Sequence, residues 1–252
     1  MIDDFSKHSL RVNTLSSHLI GKTANFLFRE QRERFQQNKK KKPDLMKEWE
    51  PDSITYKMNN YGYRSNKDFF EGDTCNIYLG CSYVLGEEVK YEDAWPTIVN
   101  KRLNDHRLYN LGVPGAGPET CYRILKGFID FVNVKRVCLL VPYGDRREFY
   151  HKSAWYQIKA NTSNINPADV MSSIFTPQEM YLNRSRNVDA IKFLCWSQNI
   201  PLHIINLNED INATNLINND HEARDLLHFG PRTHKKFAEM FLNKIDNTDN
   251  LC

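Results

Sequence analysis

Arg136-Val137-Cys138-Leu139-Leu140-Val141 reads as a strand whose apolar side chains follow one another with no polar alternation. A strand that faces water on one side alternates apolar and polar residues. A continuous run implies cover on both faces, the habit of parallel sheets. The theme recurs on either side, with short apolar strands at residues 76–79 and 107–111 upstream and another at 201–207 downstream. Between them lie segments of helical period. In residues 92–103 the apolar positions are Ala94, Trp95, Ile98, Val99 and Leu103, and in 118–132 Cys121, Ile124, Leu125, Phe128, Ile129 and Val132 share one face. Residues 177–198 form a further predicted helix with Pro177 in its first turn, and 233–245 close the pattern with Phe237, Met240, Phe241 and Ile245. Strands alternating with helices predict an α/β protein, a flavodoxin-like three-layer α/β/α arrangement around a central parallel sheet of about five strands.

Composition narrows the class. The chain has 252 residues, 40% apolar and 26% charged, which suits one large globular domain or a domain with an appended segment. A net charge of +3 gives no case for nucleic acid as a general partner. No apolar run of about 18 residues exists, so no membrane span is expected. The start, Met1-Ile2-Asp3-Asp4-Phe5, lacks the basic and apolar parts of a signal peptide. The six cysteines show no CxxC spacing, and Cys75, Cys138 and Cys195 lie in apolar runs and read as buried thiols. A reducing, cytoplasmic setting follows as the expectation. The glycosylation patterns at Asn161, Asn183 and Asn212 then read as chance.

Two parts separate along the chain: residues 1–58 as a mostly helical N-terminal extension, and 59–252 as the α/β domain. Residues 6–37 have the spacing of one or two amphipathic helices, after which Lys39-Lys40-Lys41-Lys42-Pro43 breaks the helix and reads as a solvated loop. Asn59-Asn60-Tyr61-Gly62-Tyr63-Arg64 reads as a turn into the main domain. Residues 150–176 fit no regular element, and a segment of this length inside a compact domain is usually a lid or substrate loop.

Chemistry concentrates where strands end, since ligands of open parallel sheets bind at the carboxyl ends of the strands. The first strand runs into Leu79-Gly80-Cys81-Ser82, the second into Asn110-Leu111-Gly112-Val113-Pro114-Gly115-Ala116-Gly117, and the third into Pro142-Tyr143-Gly144-Asp145-Arg146-Arg147. Glycines at such ends let backbone N–H groups approach a reacting oxygen. Near the C-terminus stands Asp225-Leu226-Leu227-His228. Ser82, Asp225 and His228 are the residue types of a nucleophile, an orienting acid and a general base. Each also has a bland reading: Ser82 as a helix N-cap, Asp225 as a surface partner of Arg224 or Arg232, His228 as a half-buried histidine. Cys81 is an alternative nucleophile. His221 and His234 lack partners at metal-ligand spacing, and Gly112, Gly115 and Gly117 have the wrong order for a dinucleotide fingerprint, so neither metal nor cofactor is expected.

In these blocks the chain resembles the SGNH (GDSL-type) hydrolase family over about residues 59–245. The family's first block is usually Gly-Asp-Ser and here reads Gly80-Cys81-Ser82. Its second, Asn-x-x-x-x-Gly, matches Asn110 and Gly115, and its last, Asp-x-x-His, matches Asp225 and His228. Trp95-Pro96 and Asn59-x-x-Gly62-x-Arg64 resemble a subgroup. The third block, Gly-x-Asn-Asp, is replaced by Pro142-Tyr143-Gly144-Asp145, which lacks the asparagine and puts Gly144 roughly in its place. The resemblance implies Ser82 as nucleophile, His228 as base and then acid, Asp225 as its orienting partner, and the N–H groups of Ser82 and Gly115 as the oxyanion hole. Arg146 is the candidate to replace the asparagine, or with Arg147 to bind an anionic substrate group. The implied function is a serine esterase acting on small acyl esters, such as O-acetyl groups on a carbohydrate. An O-acyltransferase with the same triad and a non-catalytic binding protein on a degenerate scaffold are the alternatives.

Overall fold

In this computed structural model, which describes residues 9–12, 17–27, 31–152, 154–159, 176–207 and 223–249, the first described strand is the two-residue β1 (Thr23–Ala24). Helices α1 (Arg32–Lys41) and α2 (Pro43–Met46) follow, then strand β2 (Tyr56–Lys57), which pairs antiparallel with β1. The alternating part consists of β3 (Thr74–Gly80), the short α3 (Ser82–Leu85), a 3-10 turn (Tyr91–Asp93), α4 (Trp95–Leu103), β4 (Arg107–Gly112), α5 (Pro118–Ile129) and β5 (Asn133–Val141). A hairpin, β6 (Arg146–His151) and β7 (Ala154–Lys159), interrupts it before α6 (Pro177–Ser197), β8 (Leu202–Asn206) and α7 (Pro231–Asp249).

The sheet has four described strands, all parallel, in the order β4-β3-β5-β8. Its continuous apolar runs are explained by cover on both faces. Ile77, Leu79, Leu111, Val137 and Leu139 point to one side and pack with Cys121, Ile124, Leu125 and Phe128 of α5 and Ile191 and Cys195 of α6. Tyr78, Cys138, Leu140 and Ile205 point to the other, against Trp95 and Val99 of α4 and Phe237, Phe241 and Ile245 of α7. The strand order reverses direction between β3 and β5, so their carboxyl ends flank the crevice where such sheets bind ligands. Cys75, Cys81, Cys121, Cys138 and Cys195 are free thiols in the core. No described helix is long and apolar enough to cross a membrane.

Three segments depart from expectation. Within residues 17–27, the stretch expected to be helical turns at Gly21 (φ +69°) and enters β1, whose Thr23 pairs with Lys57. Farther on, Arg32–Lys41 forms α1, which includes Lys39, Lys40 and Lys41. Lysine is a good helix former, and three cations in the last turn face the negative end of the helix dipole. The chain therefore stops being helical only at Lys42, ahead of Pro43. Third, the segment expected to be irregular from Tyr150 begins as the β6–β7 hairpin. Its register places Phe149 opposite Tyr156 and Tyr150 opposite Trp155. These cross-strand aromatic pairs have centroids 5.4 and 5.0 Å apart and hold the strands together. The hairpin is tied to α5 by Arg123, which pairs with Glu148 at 2.6 Å and lies over the Trp155 ring at 4.3 Å. Residues 160–175, Asn161, Asn212 and His221 lie outside the described residues, whereas Asn183 is buried in α6.

Described side chains of the first 58 residues pack against the α/β part. Phe35, Met46, Trp49, Ile54, Tyr56 and Met58 share a core with Leu85 of α3. The Asn59–Arg64 lead-in is held by Asn59 Oδ1, which accepts from the Tyr61 and Tyr63 N–H groups. Buried Arg64 donates to the carbonyls of Thr55, Leu85, Gly86 and Val89. Arg224 and Glu88 form a fully buried ion pair at 3.1 Å, and Arg224 also donates to the carbonyls of Asn25 and Pro51. Replacing one member strands the other charge, so Arg224→Ala lowers unfolding free energy by about 3–5 kcal/mol. Urea denaturation of the two proteins measures this, and a loss below about 1 kcal/mol would contradict it.

Candidate functional site

Ser82 is the first residue of α3, immediately beyond the carboxyl end of β3. The sharp exit depends on Gly80, at φ +152°, where a Cβ would stand 2.4 Å from Val84 Cγ2 and 2.7 Å from the Leu140 carbonyl oxygen. Helix α3 presses equally hard on β4, since a Cβ on Gly112 would meet the Leu85 nitrogen at 2.2 Å. Asn110 completes the seat: its amide donates to the Val84 carbonyl at 2.8 Å and its Oδ1 accepts from Gly112 N–H. Asn110 and Gly112 therefore fix where Ser82 begins its helix. Ser82 is 7% exposed, and its carbonyl accepts from the N–H groups of Gly86 and Glu87. This turn carries Glu87 back toward the serine.

Asp225 and His228 meet as a local unit. Asp225 Oδ1 accepts from the N–H groups of Leu227 and His228 at 3.0 Å each, and Asp225 Oδ2 lies 2.7 Å from His228 Nδ1. The turn needs Leu226 at φ +58°, and Asn38 of α1 donates to the Asp225 carbonyl. An acceptor-only carboxylate at Nδ1 places the ring proton there and leaves Nε2 to face the cleft. What Nε2 faces is Glu87 Oε2, at 3.7 Å. The Tyr83 ring stands edge-on to the imidazole at 5.8 Å and packs on Phe229 at 4.5 Å. Ser82, Glu87, Asp225 and His228 thus share one neighbourhood, but no hydrogen bond joins Ser82 Oγ to His228 among the described residues.

Electrostatics follow from this packing. Burial alone would raise the Asp225 pKa, but its bond to His228, the imidazolium charge and the two N–H groups outweigh burial and hold it below 3.8. Burial alone would lower the His228 pKa. The bond to Asp225, with the charges of Glu87 and Asp225, outweighs burial and the opposing Arg146 and raises it above 6.5. His234, by contrast, is buried in α7, accepts from Trp95 N–H at 3.2 Å, and has its pKa pushed down to about 3 by burial, Arg64 and His228. It is a neutral structural histidine. No group of three or more His, Cys, Asp or Glu among the described residues is arranged to hold a metal.

The other expected residues divide. Arg146 reaches the site: its guanidinium lies over Tyr143, contacts Ala116 O at 3.4 Å, and acts on both His228 and Tyr83. Burial works against its charge, but Cys81, Asp145 and Tyr83 outweigh burial and keep it firmly protonated. Arg147 turns away to Glu119 and Glu179. Gly144 packs on α6, where a Cβ would meet Met180 O at 2.9 Å. Gly115 sits at φ +72° under Gln157 Oε1, which a Cβ would meet at 2.6 Å, and Gly117 lies under the Arg146 carbonyl at the same distance. These glycines therefore admit the hairpin, a role their position in the sequence did not reveal. Glu87 and Gln157 are the site neighbours that sequence reading missed. Glu87 follows Gly86 in a pair of acids, the one available signal, whereas Gln157 lies in the segment expected to be irregular. A separate cavity of about 700 Å³, lined by Thr74, Asn104, His106 and Arg107, opens at the amino ends of β3 and β4, away from Ser82.

Neither the protein-family models nor the curated proteins contain a match to this chain.

The sign of the pH dependence follows from the two shifts. The raised His228 stabilises the fold fully below about pH 6.5 and loses that contribution as pH rises through its folded midpoint. The lowered Asp225 stabilises above about pH 3.8 and loses its contribution as pH falls through its folded midpoint. In an NMR titration, Glu87→Gln and Asp225→Asn each move the His228 midpoint down. A midpoint unchanged in Glu87→Gln would show that the 3.7 Å contact carries no charge coupling.

Proposed function

We propose that the chain is an ester hydrolase of the Ser-His-Asp type, with Ser82 as nucleophile, His228 as base and Asp225 as the residue that orients it. The observation that carries this reading is the 2.7 Å Asp225–His228 pair, with the neighbour of Ser82, Tyr83, edge-on to the imidazole at the carboxyl edge of β3. The motif resemblance supports it independently of geometry.

In the proposed reaction His228 Nε2 turns from Glu87 to the Ser82 hydroxyl once substrate is bound, since catalytic hydrogen bonds commonly tighten only in the complex. Ser82 Oγ attacks the ester carbonyl as His228 takes its proton. The imidazolium, steadied by Asp225, then protonates the departing alcohol. Water, activated by the same ring, frees the acid from the acyl-serine. Ser82 N–H opens α3, where the first amides have no intrahelical acceptor, and it can donate to the oxyanion together with Gly115 N–H. Arg146 supplies the side-chain donor that the third block lacks. Small acyl esters, O-acetylated carbohydrates among them, are the substrate class the resemblance implies.

A non-catalytic binding protein is the second reading, favoured by the orientation of His228 Nε2 toward Glu87 rather than Ser82. A fluorophosphonate probe separates the two. Under the hydrolase reading the wild-type protein labels, Ser82→Ala does not, and His228→Ala labels far more slowly. A folded wild-type protein that fails to label at pH 8 rejects that reading. Arg146→Ala lowers kcat by about 10²–10³ if Arg146 serves as an oxyanion donor. Unchanged kcat and KM in that variant remove Arg146 from the site.

A further inference from the structure

We infer that α6 is the interface of a two-fold homodimer, in which this helix pairs antiparallel with α6 of a second copy. Its inner face is committed, with Asn183, Ile191 and Cys195 buried in the protein. Its outer face exposes Leu182 (43%), Phe193 (65%) and Trp196 (74%), large apolar side chains in water along one helix. Single exposed apolar residues are ordinary, but an aligned set marks a contact surface.

The alignment has a coiled-coil period. Leu182, Arg186, Asp189, Phe193 and Trp196 are separated by four, three, four and three residues and all are exposed. The order is also self-complementary. A two-fold axis beside Asn187 and Val188 places Leu182 of one copy against Phe193 of the other, and Arg186 against Asp189. Each contact is made twice, as an isologous interface requires. The same operation carries Trp196 to the first turn of the opposing helix. That turn holds an apolar pocket lined by Pro177, Gln178, Tyr181 and Leu182. Arg186 and Asp189 lie at the centre, where opposite charges fix register and antiparallel direction. Asp189 pairs with Lys192 of its own helix at 3.0 Å, but both side chains are more than half exposed, and such a pair is readily exchanged for one across the axis. An unrelated partner would need complementarity to this face only; a face that reads as its own inverse fits a second copy of this chain.

Sedimentation velocity on the full chain, up to about 100 μM, tests the assignment. The wild-type protein sediments as a dimer at the upper concentrations. Trp196→Ala, Arg186→Asp and Asp189→Arg each weaken association about tenfold or more, and at concentrations where the wild type is monomeric they leave the melting temperature unchanged, because all three positions are exposed. The double variant Arg186→Asp/Asp189→Arg exchanges the charges across the axis and recovers the dimer. A wild-type protein that stays monomeric throughout overturns the inference. So does a dimer indifferent to the single charge reversals, or a double variant no better than either single.

Discussion

The buried ion pair between Arg224 and Glu88 is the interaction on which the arrangement of the site depends. Both side chains are wholly removed from water, which costs several kcal/mol per ion before any compensation. Compensation comes from saturation of both groups. Arg224 bonds Glu88 and the carbonyls of Asn25 and Pro51, while Glu88 accepts from the Tyr56 hydroxyl and the Arg224 N–H donates to the Glu88 carbonyl. Glu88 is held at φ +64°, an unfavourable conformation for a residue with a side chain. Strain of this kind persists only where the surroundings over-determine it, and here bonds to the Glu88 carboxylate, N–H and carbonyl from Arg224 and Tyr56 do so.

The consequence reaches the imidazole. Glu87 precedes Glu88 and Asp225 follows Arg224, so the pair that clamps the backbone also sets the two carboxylates that flank His228. Arg64 grips the same turn from the other side through the carbonyls of Leu85, Gly86 and Val89. Asn25, Asn38, Pro51 and Tyr56 of the N-terminal part therefore belong to the site's scaffold through their bonds. Their sequence gave little sign of this, because a carbonyl that accepts from a buried arginine leaves no mark on residue type.

What was legible in the sequence was what has a period or a fixed local spacing. Continuous apolar runs such as 136–141 reveal a strand covered on both faces, and the helical spacing of Trp95, Val99 and Phe128 reveals what covers it. Asp225 and His228 were legible because the pairing is local: three residues and two backbone N–H groups suffice to build it. Glu87 and Gln157 were not, since the contacts that matter, Glu87 with His228 and Gln157 over Gly115, join segments distant in the chain. The β6–β7 hairpin was obscured because its aromatic residues are adjacent, Phe149-Tyr150 and Trp155-Tyr156. Each strand puts one aromatic on either face, which masks the alternation that announces a strand.

The hairpin also changes how the glycines of the second block are understood. A glycine beside a proposed oxyanion site invites the explanation that a reacting oxygen must come close. Gly115 and Gly117 instead lie beneath Gln157 and the Arg146 backbone, and a methyl group at either would collide with the hairpin. The two explanations are compatible only if the hairpin itself forms a wall of the site. Its anchorage favours this: Arg123 fixes Glu148 and Trp155 from below, while Arg146, at the first position of β6, turns its guanidinium toward Tyr143 and Ala116. A cation delivered this way differs from the neutral asparagine amide it would replace. It stabilises a developing oxyanion more strongly, but it also opposes the imidazolium that forms at the same moment on His228. Glu87, 3.7 Å from His228 Nε2, offsets that repulsion. In the proposed mechanism Arg146 and Glu87 are thus coupled, each making the other tolerable beside one histidine.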